Sequence, residues 1–367
     1  MNNYRKTLLA LPLIILAGCN SSSNSNKTIT KAQVKPKADY VFSSAKLDEL
    51  YQERQEIQQE AMRLTYDGVQ YNKILFAEDL NREQKVVRLA DSLGRQIDLY
   101  LPDAGVDSCG IYTERKGLDL FDCDAALRSV SNETTLIKTT TNNKELPIEL
   151  EYDNDLSQYV TSIGSTILST TQNGNQITIT TSFAFNAFYH NVLKETGTVD
   201  RIESTLGVST YSQLFDIVKL YQGSEMTLRF NNHIGGSADD DINMYTGLMI
   251  KSNNMTTVVT PTGSVFSGGT DLFAAGYPRI LQRADTNKAI ALNKQVGVHS
   301  WAEGDKTAKE FPYTDESHRK QATYFKKVMG NKGIDFYIFT LDSAPASGEH
   351  WMTKADSDKY SFITRIE

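Results

Sequence analysis

Three short apolar stretches between residues 226 and 301 each end in residues that can carry chemistry. The stretch 226–230 runs into Asn-Asn-His-Ile-Gly-Gly-Ser, a second leads to Ser267, and the stretch 296–298 ends at His299. Apolar runs of this length, bounded by polar or glycine residues, are typical of buried strands. Because sites in α/β sheets form at the carboxyl ends of strands, the pattern predicts an α/β fold with one site built from three strand ends.

The residues at these strand ends suit nucleophilic catalysis. Ser267 precedes two glycines and a helical apolar pattern, so we expect its hydroxyl at a tight strand-to-helix turn. Gly235 and Gly236 have no Cβ, so a substrate carbonyl oxygen can approach the backbone N–H groups there. His299 is the candidate base that accepts the serine proton.

These segments resemble the Clp protease branch of the Clp/crotonase superfamily. Residues 232–237, Asn-His-Ile-Gly-Gly-Ser, are similar to its Asn-Ser-Pro-Gly-Gly turn, and residues 263–269 to its Gly-x-Ala-Ala-Ser-x-Gly nucleophile turn. His299 stands where that family places its catalytic histidine. The resemblance implies that Ser267 is the nucleophile and His299 the base, and it extends from about Thr198 to the C-terminus.

The resemblance also implies the remaining parts of such a site. The N–H groups of Gly236 and Gly268 would form the oxyanion hole, and Glu349 would replace the family's aspartate as the third member of the triad. Two positions depart from the family: Ile234 replaces a proline, and Phe266 replaces a small residue before the serine. The implied fold is a stacked βαβ C-terminal domain.

Three functions remain open from the sequence. The first is a serine hydrolase, a peptidase acting on a peptide or protein substrate without a cofactor. The second is a catalytically degenerate Clp-fold protein that binds or scaffolds a partner, for which Phe266 and the replaced acid argue. The third, an acyl-CoA enzyme of the crotonase branch, needs a cytoplasmic cofactor, and the N-terminal segment argues against it. Family members often form rings of subunits, whereas a lipid tether and an extra domain argue against a ring, so the sequence leaves a homo-oligomer open.

The first residues predict export and lipid attachment. Residues 1–18 combine Arg5-Lys6 with an apolar core too short to span a bilayer. Leu-Ala-Gly before Cys19 resembles the bacterial lipobox, which implies cleavage before Cys19 and its acylation. Asn20 after the cysteine favours the outer membrane, facing the periplasm. Residues 19–40 are rich in Ser, Asn and Lys and predict a flexible tether.

Residues 41–197 predict an N-terminal α+β domain that is mostly β, followed by the C-terminal domain 198–367. A helical pattern over 46–64, capped by Ser43 or Ser44, precedes short alternating runs. Asn173-Gly174 between two alternating runs is a hairpin signal. With Cys19 assigned to lipid, Cys109 and Cys123 remain as a pair in an oxidising compartment, and we expect a disulfide between them.

Charge and spacing exclude other classes of function. The formal net charge is −7 and no basic cluster offsets it, which argues against a nucleic-acid partner. The histidines show no metal-ligand spacing, so no metal is expected. We interpret residues 239–241, three consecutive aspartates, as favourable charges in a first helical turn. His318 is expected at the surface or in a subunit contact.

Overall fold

The structure is a computed structural model of the 367-residue chain, and it describes residues 35–80, 84–102, 108–124, 127–193 and 202–367. The predicted signal segment 1–18, Cys19 and most of the predicted tether lie outside the described residues. Within those ranges, no helix is both long and apolar enough to cross a membrane.

The first helix, α1 (Ser44–Glu60), begins where the sequence predicted one. The side chain of Ser43 accepts a hydrogen bond from the Lys46 N–H at 3.3 Å. This contact satisfies one of the N–H groups that a first helical turn leaves unpaired. The helix ends earlier than the predicted residue 64, because the chain turns into a strand at Met62 whose alternate side chains are buried.

Two antiparallel sheets follow α1. Their strands are β1 (Met62–Tyr66), β2 (Val69–Tyr71), β3 (Lys73–Asp79), β4 (Lys85–Ala90), β5 (Gln96–Leu101), β6 (Ser108–Thr113), β7 (Gly117–Asp122), β8 (Arg128–Val130), β9 (Thr134–Thr140) and β10 (Pro147–Asp153). One sheet has the order β2-β1-β10-β9-β8 and the other β3-β4-β5-β6-β7. Side chains from both sheets and from α1 form one apolar cluster, so the region predicted to be mostly β has its own core.

A disulfide joins Cys109 on β6 to Cys123 just beyond β7, as the sequence predicted. The strands β6 and β7 are antiparallel, and Cys109 is opposite Phe121. This register brings the end of β7 back to Cys109. Both cysteines are buried in the core of the two sheets.

The rest of the chain builds two further sheets and the helices that cover them. One sheet contains β11 (Thr166–Asn173), β12 (Gln176–Phe183), β14 (Glu225–Phe230), β16 (Thr256–Val259), β18 (Arg279–Leu281) and β23 (Arg365–Ile366), in that order. We call it the outer sheet. The inner sheet contains β13 (Ser204–Leu206), β15 (His233–Ser237), β17 (Ser264–Phe266), β19 (Val296–Val298) and β22 (His350–Trp351).

The helices of this part are α2 (Asn186–Phe188), α3 (Val208–Leu220), α4 (Asp240–Ser252), α5 (Gly268–Ala275), α6 (Glu316–Met329), α7 (Gly333–Ser343) and α8 (Lys354–Tyr360). A short hairpin, β20 (Ala302–Glu303) and β21 (Lys306–Thr307), precedes α6. The sheets and helices share a core that contains Phe230, Phe273, Phe325 and Phe336, all fully buried. The predicted stacked α/β architecture is confirmed.

A unit of outer strand, inner strand and helix repeats along this part of the chain: β14-β15-α4, β16-β17-α5 and β18-β19-α6. The inner strands β15, β17 and β19 are mutually parallel, so their carboxyl ends lie at one edge. Gly236, Ser267 and His299 therefore come from successive inner strands. The run 226–230 and the Gly-Gly turn, predicted to be one strand and its end, are β14 and β15 and belong to two different sheets.

The hairpin predicted at Asn173-Gly174 is confirmed, with Gly174 and Asn175 as its turn residues. Its second strand pairs in parallel with β14, with Ile177 opposite Met226. The hairpin, predicted within the N-terminal domain 41–197, thus extends the outer sheet. The division between residues 197 and 198 stays a prediction, and residues from Lys35 to Glu367 form one compact unit.

Candidate active site

Ser267 lies at the turn between β17 and α5, in a backbone conformation that residues with a side chain rarely adopt. Its φ is 52° and its ψ is −122°, outside both helical regions. Such a conformation costs about 1–3 kcal/mol. It places the serine at the apex of a sharp strand-to-helix turn, as in known nucleophile elbows. The tight turn expected at this residue is present.

Close packing between two turns explains the glycines around Ser267. A Cβ on Gly268 would lie 2.5 Å from the Oγ of Ser237, so only glycine lets the β17–α5 turn press against the β15–α4 turn. A Cβ on Gly236 would lie 3.6 Å from the Cβ of Ser267. Gly268 is the first residue of α5, where an N–H has no acceptor within the helix. The structure therefore brings both predicted oxyanion-hole glycines to the serine.

His299 follows β19 and is held by a backbone contact. Its Nδ1 lies 2.7 Å from the carbonyl oxygen of Ala346. A carbonyl oxygen can only accept, so Nδ1 carries the proton and Nε2 is the acceptor, an assignment that follows from the partner. Burial lowers the pKa of His299 below its usual value of 6.5, although the Ala346 contact and the charge of Asp240 act in the opposite direction. The imidazole is therefore neutral at pH 7 and has the tautomer that a general base requires.

Glu349 does not hold the position predicted for the third member of a triad. Its carboxylate accepts a hydrogen bond from the indole N–H of Trp351 at 2.9 Å, while the Ala346 carbonyl occupies Nδ1 of His299. The physical reason is that the segment before β22 presents its backbone to the imidazole. Glu349 acts on His299 only through its charge, which raises the histidine pKa less than Asp240 does.

Ser267 and His299 line the same pocket, which has a volume of about 40 Å³. Val298, Phe325 and Tyr337 contribute apolar surface to it. In the described part of the chain, no hydrogen bond joins the Ser267 hydroxyl to His299. Catalytic hydrogen bonds are often long in an enzyme without substrate and shorten when substrate binds. The two predicted catalytic side chains are thus brought together, and their roles stay predictions.

Two carboxyl groups that the sequence analysis did not assign to the site also face this pocket. Asp240 is at the N-terminus of α4, and Asp271 is on α5 one turn beyond Ser267. Burial is the main cause that raises the pKa of Asp240, and it raises the pKa of Asp271 well above the usual range. Nothing in the spacing of the sequence marks Asp271. Asp240 stands within the aspartate run interpreted as helix-terminus charge.

That interpretation holds for Asp239 but not for the whole run. Asp239 caps α4 by accepting a hydrogen bond from the Ile242 N–H at 3.2 Å, and it also pairs with Arg54 of α1 at 2.6 Å. Asp241 pairs with Lys320 of α6 at 3.0 Å. Asp240 instead turns to the pocket, where it accepts a hydrogen bond from the Ser237 hydroxyl.

His318 is fully buried, so the expectation of a surface position was wrong. Its Nε2 donates to the Ala308 carbonyl at 2.9 Å, and its Nδ1 accepts from the Tyr337 hydroxyl at 2.7 Å. That hydroxyl in turn accepts from the indole N–H of Trp301 at 2.8 Å. Burial lowers the pKa of His318, which keeps it neutral. The chain of contacts fixes Trp301 and Tyr337 in the pocket wall.

The described residues contain no group of three or more His, Cys, Asp or Glu side chains placed to hold a metal ion.

No family model and no curated protein matches the sequence. Solved structures with a similar arrangement include DspI from Pseudomonas aeruginosa, at 9% identity and a TM-score of 0.34, over 55% of this chain and 68% of that chain. An enoyl-CoA hydratase from Thermoplasma volcanium is similar at 9% identity and 0.33, over 55% and 72%. One from Shewanella pealeana is similar at 14% identity and 0.31, over 55% and 68%. At this level of likeness, function has to be argued from this chain's own residues.

Proposed function

We propose that this protein is a serine hydrolase that cleaves an acyl bond of a peptide or protein, with Ser267 as nucleophile and His299 as general base. The backbone of Ser267 is the observation that carries the proposal. A non-glycine residue at φ 52° and ψ −122° is retained at a cost in stability, and such strain is concentrated at functional sites. Ser267 shares its pocket with His299, whose neutral imidazole is held by the Ala346 carbonyl, so the strained serine lies beside a candidate base.

The geometry supports the following acylation step. The Ser267 Oγ forms a bond to the substrate carbonyl carbon while its proton passes to Nε2 of His299. The Nδ1–H of His299 stays on the Ala346 carbonyl, which holds the ring as it becomes positively charged. The carbonyl oxygen becomes an oxyanion, and the N–H groups of Gly236 and Gly268 are the proposed donors to it. Removing one such donor typically costs about 3–4 kcal/mol of transition-state stabilisation.

The intermediate then collapses and releases the product in two stages. The bond from carbon to the leaving nitrogen or oxygen breaks, and His299 returns its proton to that leaving group. In the second stage water attacks the acyl-serine while His299 takes a proton from it; the bond from carbon to Ser267 Oγ then breaks, and His299 returns the proton to that oxygen. Asp240 contributes by its charge, which favours the protonated imidazole. No cofactor is needed for this balance of atoms and protons.

The inner sheet limits how a peptide can bind. β15 is paired with β13 from Ile234 to Ser237, so a peptide cannot add as a strand along that edge of the Gly-Gly segment, and its pairing with β17 is limited to His233 and Ile234. The proposed mode is instead insertion of one substrate side chain into the pocket beside Ser267, with the scissile carbonyl over Gly236 and Gly268.

A test of turnover uses p-nitrophenyl esters and peptide p-nitroanilides with the folded protein. We expect hydrolysis above the uncatalysed rate that is abolished in Ser267→Ala and reduced at least about 10³-fold in His299→Ala. Ser300→Ala is the matched control, because Ser300 is a buried neighbour whose hydroxyl contacts only the Trp301 carbonyl in the described chain. Hydrolysis that survives Ser267→Ala would contradict the assigned nucleophile.

A binding or scaffolding protein is the second candidate. It is favoured by the ring of Phe266, whose centroid lies 4.7 Å from that of His299, and by the missing contact between Ser267 and His299. Such a protein would retain its ligand after Ser267→Ala and would turn nothing over before that change. The combined result of binding and turnover assays on the same variant separates the two candidates.

We further propose that Cys19 is lipidated and tethers the protein to the outer membrane on its periplasmic side. The lipobox resemblance and the pairing of Cys109 with Cys123 support this, because disulfides persist in oxidising compartments. Metabolic labelling with an alkyne fatty acid should mark the wild type and not Cys19→Ala. A label that survives this change, or a wild type that takes up none and fractionates as a free protein, would contradict the anchor.

A further inference from the structure

The three consecutive aspartates at the start of α4 differ in whether a cation neutralises them. Asp239 pairs with Arg54 and Asp241 pairs with Lys320. Asp240, between them, has the Ser237 hydroxyl as its only hydrogen-bond donor within the described residues. The acid that faces the pocket is thus the one for which the fold supplies no counter-charge.

Asp271 has even fewer hydrogen-bond donors than Asp240 within the described residues. In the described part of the chain its carboxylate oxygens accept no hydrogen bond, although a carboxylate can accept about four. It lines the pocket beside Asp240, and each group experiences the charge of the other acids around it. Asp271 is half-buried at the pocket wall, so a ligand that enters the pocket can supply the donors that the protein does not.

The remaining wall of the pocket suits an alkyl chain. Val298, Phe325 and the ring of Tyr337 line it, and none of the described lining residues is a lysine or arginine. A volume of about 40 Å³ has room for roughly three water-sized groups. That is about the size of a cationic head group, whose alkyl stem would lie along the apolar wall, since long basic side chains bury their stems on apolar surface while the charge finds polar partners.

We propose that the pocket beside Ser267 is a subsite for a basic side chain of the substrate, with Asp240 and Asp271 binding its ammonium or guanidinium group. This inference rests on the proposed hydrolase function for its meaning in catalysis, but the binding it requires does not. A substrate with lysine or arginine next to the scissile carbonyl is therefore the preferred class.

Protonation sets the conditions for testing this subsite. Because the pKa of both acids is raised, the empty pocket favours their protonated forms more than water does. A cation needs the ionised form, so its binding should strengthen as pH rises and should release protons. Asp240 also experiences the charges of Asp239, Asp241 and His299, and Asp271 lies near the titratable hydroxyls of Tyr324 and Tyr337.

The experiment compares two ligands of the same shape and different charge. Binding of butylguanidinium and of neutral butylurea is measured by titration calorimetry on the full protein at about pH 8, where more of the carboxyls are ionised. We expect the cation to bind at least about ten-fold more tightly. Asp271→Asn and Asp240→Asn should each reduce that ratio towards one, and Asp241→Asn, whose charge faces Lys320, should leave it unchanged.

Two results would overturn the subsite: equal affinity for the two ligands in the wild type, or a preference that survives in both Asp271→Asn and Asp240→Asn. Having two variants at different depths guards against one that misfolds, which far-UV circular dichroism detects. On the same samples, butylguanidinium should slow the reaction of Ser267 with a fluorophosphonate more than butylurea does. Cation binding without any serine labelling would refute the hydrolase while the subsite stands.

Discussion

Two acids, Glu78 in the N-terminal β region and Asp271 in the pocket, show how differently this fold treats a carboxyl group. Glu78 at the end of β3 is 6% exposed, and its oxygens accept hydrogen bonds from the Asp79 N–H, the Ser165 hydroxyl, and both the N–H and hydroxyl of Thr205. Asp271 has none of these. Glu78, whose oxygens accept hydrogen bonds from the protein, acts as part of the structure. Asp271, which faces the pocket without such donors, is available to bind a ligand.

Glu78 connects regions that are distant in the sequence. Ser165 precedes β11 and Thr205 lies on β13, so the carboxylate joins the N-terminal sheets to the inner sheet. Burial raises its pKa to about 7 despite these donors. Both carboxyl groups lose contact with water on folding, which costs free energy. Only Glu78 regains hydrogen bonds from the protein in return.

The largest expected effect is the loss of stability on removing Glu78. Glu78→Ala leaves the hydroxyl donors of Ser165 and Thr205 unpaired, which should lower the free energy of unfolding by about 2–4 kcal/mol. Denaturation in urea measures it. Glu151→Ala is the control, because its pair with Arg63 is at the surface and should contribute no more than about 1 kcal/mol. Equal losses in the two variants would remove the contrast between satisfied and exposed acids.

Asp271→Asn should raise the free energy of unfolding rather than lower it, and the size of this gain should depend on pH. The folded pKa of Asp271 is raised, so the contribution of this group to stability is present below its unfolded value near 3.8 and is lost as pH rises through the folded value. The amide cannot ionise. We therefore expect the variant to gain on the order of 1 kcal/mol over the wild type at about pH 8 and little at about pH 4. A loss at both values would mean that Asp271 is structural, as Glu78 is.

The smallest expected effect concerns the pH dependence of activity. Burial lowers the pKa of His299, so the acid limb of the kcat/KM profile should have its midpoint below 6.5. Asp240→Asn removes a charge that raises this pKa and should move the midpoint lower still, by less than about one unit. Glu349→Gln should move it less, because its charge acts more weakly on the imidazole. A larger shift for Glu349→Gln would restore Glu349 as the acid of a triad.

Local features of the site were predictable, and features set by distant contacts were not. Ser267 and the glycines after it indicate a sharp turn, because few other residues fit such a turn. The disulfide between Cys109 and Cys123 was predictable because the predicted export signal places the protein in an oxidising compartment. The direction of Asp240 depends on Arg54 and Lys320, which lie far from it in the sequence and bind its neighbours.

The same limit explains the two errors in the histidine environment. His318 is buried because α7 places Tyr337 against it, and the periodicity of α6 alone does not reveal that partner. Glu349 was chosen from a resemblance in spacing, whereas a backbone carbonyl carries no signature in the sequence. The strands β12 and β14 pair in parallel although a long connection separates them in the sequence. The sequence pattern alone did not predict this pairing across residue 197.

The central claim is that Ser267 is a nucleophile activated by His299, and its most direct test is reaction with a fluorophosphonate followed by peptide mass spectrometry. The account predicts one adduct, on Ser267, formed by the folded wild type, absent in Ser267→Ala and formed much more slowly in His299→Ala. A wild-type protein that is folded by circular dichroism and acquires no adduct, or acquires it on another residue, would contradict the claim.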